Sequence, residues 1–185
     1  MKVIETSLPG CLVLEPKVFG DPRGFFYESF NRDKLAEAGL AMQFVQGNVS
    51  RSAKGVLRGL HFQNPKAQGK LVSVLEGEVW DVAVDIRRGS PTFGRWEGVA
   101  LSAGNKRHFW IPEGFAHGFQ VLSEQALFTY LCTETYDPAA DAGIRWDDPA
   151  LAIEWPIPQP LLSPKDEALP ALADLSGAQL PGYAG

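Results

Sequence analysis

Gly69-Lys70-Leu71-Val72-Ser73-Val74-Leu75-Glu76-Gly77-Glu78-Val79-Trp80-Asp81-Val82-Ala83-Val84-Asp85-Ile86-Arg87 is two apolar runs divided by one glycine. Valines and leucines without helical spacing predict strands over 69–75 and 78–87. Glu76-Gly77-Glu78 reads as a tight hairpin turn between them. In the second run Trp80, Val82, Val84 and Ile86 share one face, and Asp81, Ala83 and Asp85 share the other. A strand with one large apolar face and one small polar face suits a barrel that holds a ligand.

Working outward, 19 glycines and 14 prolines cut the chain into short runs. Strands are expected at Cys11–Leu14, Gly24–Phe30, 43–50, 56–63, 95–102, 106–111, 117–123 and 126–134. Many short strands spaced roughly 8–12 residues apart predict an antiparallel sandwich or barrel. Asn31 to Gly39 reads as a short helix, capped by Asn31 and ended by Gly39. A proline-rich stretch from Trp155 to Pro164 leads to a second helix near Asp166–Asp174. The fold class is therefore mainly β, with a few short helices, and the 185 residues read as a single domain carrying a C-terminal helical and proline-rich extension.

Composition narrows the function. Net charge is −5, with no basic tract, so nucleic acid binding is excluded on electrostatic grounds. No apolar run approaches the ~20 residues that span a bilayer. The N-terminus reaches Glu5 before any long apolar run, which fits a cytoplasmic protein without membrane attachment. Cys11 and Cys132 form neither a disulfide framework nor a ligand pattern, and Cys132 reads as a small core residue.

The chemistry concentrates in Val56-Leu57-Arg58-Gly59-Leu60-His61-Phe62-Gln63 and Lys70 beyond it. A guanidinium, an imidazole and an ammonium stand here on strand-rich sequence. Arg58 and His61 have opposite parity, and a bulge at Gly59 would return both to one side. The three histidines, His61, His108 and His117, include no His-x-His pair, so no metal centre is expected. His108 reads as an exposed or half-buried strand residue. His117, among glycines that permit close backbone approach, reads as a ligand contact or a satisfied structural histidine, with the first preferred. Phe128, Tyr130 and Cys132 share one strand face.

Together several motifs resemble the dTDP-4-dehydrorhamnose 3,5-epimerase family, metal-free jelly-roll (cupin-like) enzymes. The resemblance runs through Gly20-Asp21-Pro22-Arg23-Gly24-Phe25-Phe26, Gln46-Gly47-Asn48-Val49-Ser50, Arg58-Gly59-Leu60-His61 and Pro112-Glu113-Gly114-Phe115-Ala116-His117. It continues through Ile144-Arg145-Trp146-Asp147-Asp148-Pro149 and Leu162-Ser163-Pro164-Lys165-Asp166. It implies a cofactor-independent epimerase that inverts C3 and C5 of dTDP-4-dehydro-6-deoxy-D-glucose to give dTDP-4-dehydro-L-rhamnose. It assigns His61 as base, Asp166 as the carboxylate orienting it, Tyr130 as acid and Lys70 as the cation that stabilises an enolate. Arg23, Glu28, Gln46, Asn48, Arg58, His117, Asp141 and Lys165 fall at substrate-binding positions, and Tyr136 at that of a ring stacking on thymine. The segment carrying Arg23 and Glu28 is expected to reach a neighbouring subunit, which implies a homodimer. Asp141 stands where the family usually has glutamate, and Leu131 where lysine often follows the acid tyrosine. The rival readings are a single-centre epimerase or ketoisomerase on a related nucleotide keto sugar, and a non-catalytic nucleotide-sugar-binding barrel.

Overall fold

The computed structural model describes residues 1–37 and 39–183. In chain order the strands are β1 (Lys2–Glu5), β2 (Leu12–Glu15), β3 (Val18–Asp21), β4 (Gly24–Tyr27), β5 (Gln46–Ala53), β6 (Leu57–Gln63) and β7 (Lys70–Glu76). They continue with β8 (Glu78–Asp85), β9 (Trp96–Ser102), β10 (His108–Ile111), β11 (Phe115–Val121), β12 (Gln125–Cys132) and β13 (Asp141–Gly143). Two sheets face each other, one ordered β1-β2-β10-β7-β12-β5 and the other β13-β6-β11-β8-β9, while β3 and β4 form a separate hairpin. Every strand ladder is antiparallel. This is the expected jelly roll, open along its edges rather than closed into a full barrel.

Period-two alternation builds the core between the sheets. Val72, Val74, Phe109 and Phe128 from the six-stranded sheet meet Val79, Ala83, Leu101 and Phe119 from the other. Val82, Val84 and Ile86 turn outward, where Leu151, Leu172 and Leu180 of the C-terminal segment cover them. The two-faced reading of β8 is therefore correct. Helix α1 (Arg32–Glu37) lays Leu35 over Leu14, Leu71 and Trp110 on the other outer face. Burying such a leucine fully is worth roughly 1.5–3 kcal/mol. Asn31 caps the helix, its Oδ1 accepting the Asp33 and Lys34 N–H groups at 3.1 Å each. Ala38, inside the expected helical span, lies outside the described residues.

The hairpin expected at Gly77 does not form. β7 pairs with β10 and β12, while β8 pairs with β11 and β9, so Gly77 is the corner where the chain leaves one sheet for the other. The turn is held from outside: the Glu78 N–H donates to Ser123 Oγ at 2.8 Å and the Ala103 N–H to the Gly77 carbonyl at 3.0 Å. With φ of 79°, and with any Cβ falling 2.1 Å from the Gln125 carbonyl oxygen, the position requires glycine.

The single helix expected over 166–174 is two pieces, α2 (Pro164–Glu167) and a 3₁₀ turn at Leu172–Asp174. Pro170 lies between them and has no N–H to continue a helix. The tail is bound to the sheets by buried polar groups. The Gln120 side chain donates to the Ile157 carbonyl and accepts its N–H, at 2.8 and 2.9 Å. Asp148 accepts the Leu172 N–H at 2.6 Å. Among the described residues, no helix is long and apolar enough to cross a membrane.

Candidate active site

The site begins at an irregularity in β6. Arg58 pairs with Phe119 and His61 with His117, so β6 uses one more residue than β11 across this stretch. The extra step falls at Gly59, whose φ is 127° and whose missing Cβ would lie 2.5 Å from Gly118 Cα. Only glycine fits, and the bulge turns Arg58 and His61 towards the same cavity, as expected.

That cavity has two abutting lobes of about 280 and 270 Å³, and His61, Lys70, Tyr130 and Lys165 border both. His61 enters from the five-stranded sheet and Tyr130 from the six-stranded one. His61 Nε2 lies 2.6 Å from Asp166 Oδ1. Asp166 sits in α2, and Ser163 Oγ donates to its Oδ2 at 2.7 Å while accepting its backbone N–H at 3.1 Å. Burial raises the Asp166 pKa, but hydrogen bonds from His61, Ser163 and the Gly59 N–H outweigh it and hold the carboxyl below its ordinary value. The imidazole therefore has an ionised partner fixing its orientation.

Inward-facing rows cross the opposite sheet. Lys70, Cys132 and Gln46 form one row, and Val72, Tyr130 and Asn48 the next. Burial and the neighbouring Cys132 push the Tyr130 phenol up against the pull of Arg58, so it stays protonated. Lys70 is buried, and among the described residues it has no ion pair or hydrogen-bond partner. Burial moves its ammonium below the ordinary lysine value, against the attraction of Asp81 and Asp141.

His117 is a hydrogen-bonded wall histidine that also lines the cavity. Its ring borders the cavity, and its Nε2 lies 3.0 Å from each oxygen of Asp81 on β8. Burial drives this pair towards uncharged forms, Asp81 up and His117 down. Lys70 and His61 nearby add to the effect of burial in keeping His117 from charging. Asp85, on the same strand face, is instead held by Arg87, Ser90 and Thr92 in the wall.

At the outer lobe Gln46 Oε1 accepts the Tyr136 N–H at 2.8 Å, and Gln46 Nε2 donates to Asn48 Oδ1 at 3.2 Å. The Tyr136 hydroxyl donates to Asp141 Oδ2 at 3.0 Å, and Lys165 Nζ donates to the same oxygen. Lys165, its side chain about half exposed, is thus paired with Asp141 at the rim of the cavity.

Three positions differ from expectation or lie apart. His108 is buried on the outer face of β10, beside the Tyr27 ring 6.4 Å away, rather than exposed or half-exposed. Burial takes its pKa down to about 4, and its Nε2 has no partner among the described residues. Arg23 and Glu28 do not reach this chain's cavity. The Arg23 side chain is 89% exposed and pairs with Asp21, and Glu28 pairs with Lys34 at 2.9 Å. Sequence reasoning missed Ser50, Phe119 and Ser163, which border the first lobe. Alternation along Gln46, Asn48 and Ser50 carries the signal for one of them. Among the described residues no group of three or more histidine, cysteine, aspartate and glutamate side chains is placed to hold a metal ion.

An imidazole backed by a carboxylate, a protonated phenol from the facing sheet and an unpaired ammonium border one cavity, groups of the kind that can move a proton to and from carbon. Fold and site define a jelly-roll isomerase. The chain belongs to the dTDP-4-dehydrorhamnose 3,5-epimerase family, whose sequence model matches residues 5–174. The dTDP-4-dehydrorhamnose 3,5-epimerase of Shigella flexneri is 60% identical over 168 residues, covering 90% of this chain and 93% of that protein. The solved structure of dTDP-6-deoxy-D-glucose-3,5-epimerase from Legionella pneumophila Philadelphia 1, in complex with dTDP-4-keto-L-rhamnose, superposes with a TM-score of 0.97 at 56% identity, covering 100% of this chain and 99% of that one. A dTDP-4-dehydrorhamnose 3-epimerase of Streptomyces niveus is 42% identical over 187 residues, covering 100% of this chain and 90% of that protein.

Proposed function

We propose that this protein inverts C3 and C5 of dTDP-4-dehydro-6-deoxy-D-glucose to give dTDP-4-dehydro-L-rhamnose. The observation that carries the reading is His61 and Tyr130 bordering one cavity from opposite sheets, with unpaired Lys70 beside both. A C–H next to a ketone is on the order of a dozen pK units less acidic than imidazolium, a gap of ~16 kcal/mol. A base alone cannot close it, so the developing enolate oxygen needs a preorganised cation, which is the role of Lys70. His61 takes the proton from carbon, and the C–H electron pair moves to the ketone oxygen. Tyr130 then delivers its proton to the same carbon from the opposite face. Solvent reprotonates the phenolate and removes the imidazolium proton, and the cycle repeats at the second carbon. Asp166 holds the imidazole tautomer and favours the cation that forms. Arg58 and Lys165 suit the diphosphate, and Tyr136 with Gln46, Asn48 and Asp141 suits the thymine end.

The test is incubation with dTDP-4-keto-6-deoxyglucose in deuterated water. Deuterium at C3 and C5 is expected. Label at C3 alone would make the protein a 3-epimerase, and no label a binding barrel.

The same reading includes a homodimer. The β3–β4 hairpin exposes Phe19, Phe25 and Phe26, each more than half accessible, and carries Arg23 at its tip. Such an aromatic surface beside a cation that lies apart from this chain's own His61 cavity supports insertion into a second copy's site. Mixing Arg23→Ala with His61→Ala should restore activity, because one site of each mixed dimer keeps both groups. Failure of this complementation would reject the shared site.

A further inference from the structure

Most arginines of this chain that make an ion pair do so on the surface; Arg51, Arg107 and Arg145 each lie on a carboxylate. Arg58 borders the cavity and, among the described residues, has no such partner. Its Nε donates instead to Ser52 Oγ at 3.1 Å. Ser52 is 7% exposed and lies on β5, in the alternation that also turns Gln46 and Asn48 inward. The bond therefore links one sheet to the other at the cavity's edge.

The chemistry of the acceptor matters. A guanidinium is planar, so fixing Nε sets the plane in which both Nη groups point. A carboxylate in place of Ser52 would fix that plane equally well, but it would cancel the charge. A hydroxyl fixes the fork and leaves its full charge for an anion.

We propose that Ser52 is the positioning residue of the diphosphate subsite: it orients Arg58 through a neutral hydrogen bond, so that the unneutralised fork meets the two phosphates of the ligand. The inference rests on the reading of Arg58 as a diphosphate ligand. Calorimetric titration of dTDP and of thymidine into the intact protein and its Ser52 variants tests it. Ser52→Ala should weaken dTDP about fivefold, the worth of one such bond, and leave thymidine unchanged. Ser52→Thr should restore dTDP affinity to within about twofold of the parent. Ser52→Asp should weaken dTDP by more than about tenfold relative to Ser52→Ala, because it brings the missing negative charge. Equal loss of dTDP and thymidine in Ser52→Ala, or Ser52→Asp binding dTDP as well as Ser52→Ala, would overturn the positioning role. If Arg58→Ala binds dTDP normally, the diphosphate reading of Arg58 falls and the role of Ser52 with it. If Arg58→Ala loses dTDP while Ser52→Ala does not, only the Ser52 proposal fails.

Discussion

Two histidine–carboxylate pairs stand in one cavity wall and are built differently. His61 joins a strand to a turn in the C-terminal tail, across 105 residues of sequence, and keeps 30% of its side chain accessible. His117 joins neighbouring strands of one sheet, is 7% accessible and meets both oxygens of its carboxylate. Asp166 is held ionised by its donors, whereas burial pushes Asp81 towards protonation. The base proposed for the reaction must reload each turnover, which needs an open face and an ionised partner, and of the two histidines His61 has both. His117, next to Lys70, is pressed towards neutrality and suits a fixed hydrogen-bonding wall.

Replacing each imidazole breaks the comparison most directly. His61→Asn should lower solvent-deuterium exchange by about 10³–10⁴-fold, and His117→Asn by no more than about tenfold. Equal losses would erase the distinction. The carboxylates separate next: Asp166→Asn should lower kcat about 10²-fold with KM little changed, since the wrong tautomer is then favoured. Asp81→Asn should instead appear in thermal unfolding, at about 1–3 kcal/mol, through a buried ring nitrogen left poorly paired. Lys70, beside both rings, sharpens the contrast through pH. Because burial depresses its pKa, kcat/KM should fall on the alkaline side below the ordinary lysine value of 10.5. Tyr130 is shifted the other way, so it stays protonated there, and Lys70→Arg should abolish the limb while lowering kcat.

The smallest effect belongs to His108, which has no carboxylate partner. Its folded pKa of about 4 lies below the unfolded value of 6.5. Its contribution to stability is complete above pH 6.5 and is lost as pH falls towards 4, amounting to about 1 kcal/mol by pH 5.5. Denaturant titrations of His108→Phe between pH 7 and 5.5 should show that much less acid sensitivity. An unchanged slope would mean that other groups carry it.

The longer strands were legible because alternation is local, whereas the short β1, β3 and β13 were not among those expected. β6, β7, β8, β9 and β12 lie within about two residues of where their apolar runs place them. Partner choice was not legible at Gly77, since a glycine between two strands looks the same whether the chain folds back or crosses to another sheet. The burial of His108 was equally hidden, for it depends on what covers the outer face of β10. At the site, Arg58, His61 and Lys70 stand close together in sequence, and the glycine bulge could be argued from parity alone. Asp166 could be linked to His61 only through family resemblance, because nothing local ties a tail aspartate to β6. The Asp81–His117 pair was half visible: facing patterns singled out Asp81, but the ladder between β8 and β11 is what seats it against the ring.

The short turn Ser163-Pro164-Lys165-Asp166 has a consequence for substrate truncation. Adjacent residues of this one cap face different tasks, Lys165 the outer lobe and Asp166 the imidazole. In the proposed reading, whatever the nucleotide half of a ligand does to Lys165 is relayed through a single peptide unit to the carboxylate beside His61. A sugar stripped of its nucleotide should therefore turn over more slowly even at saturation, because the remote handle and the proton acceptor share one lever.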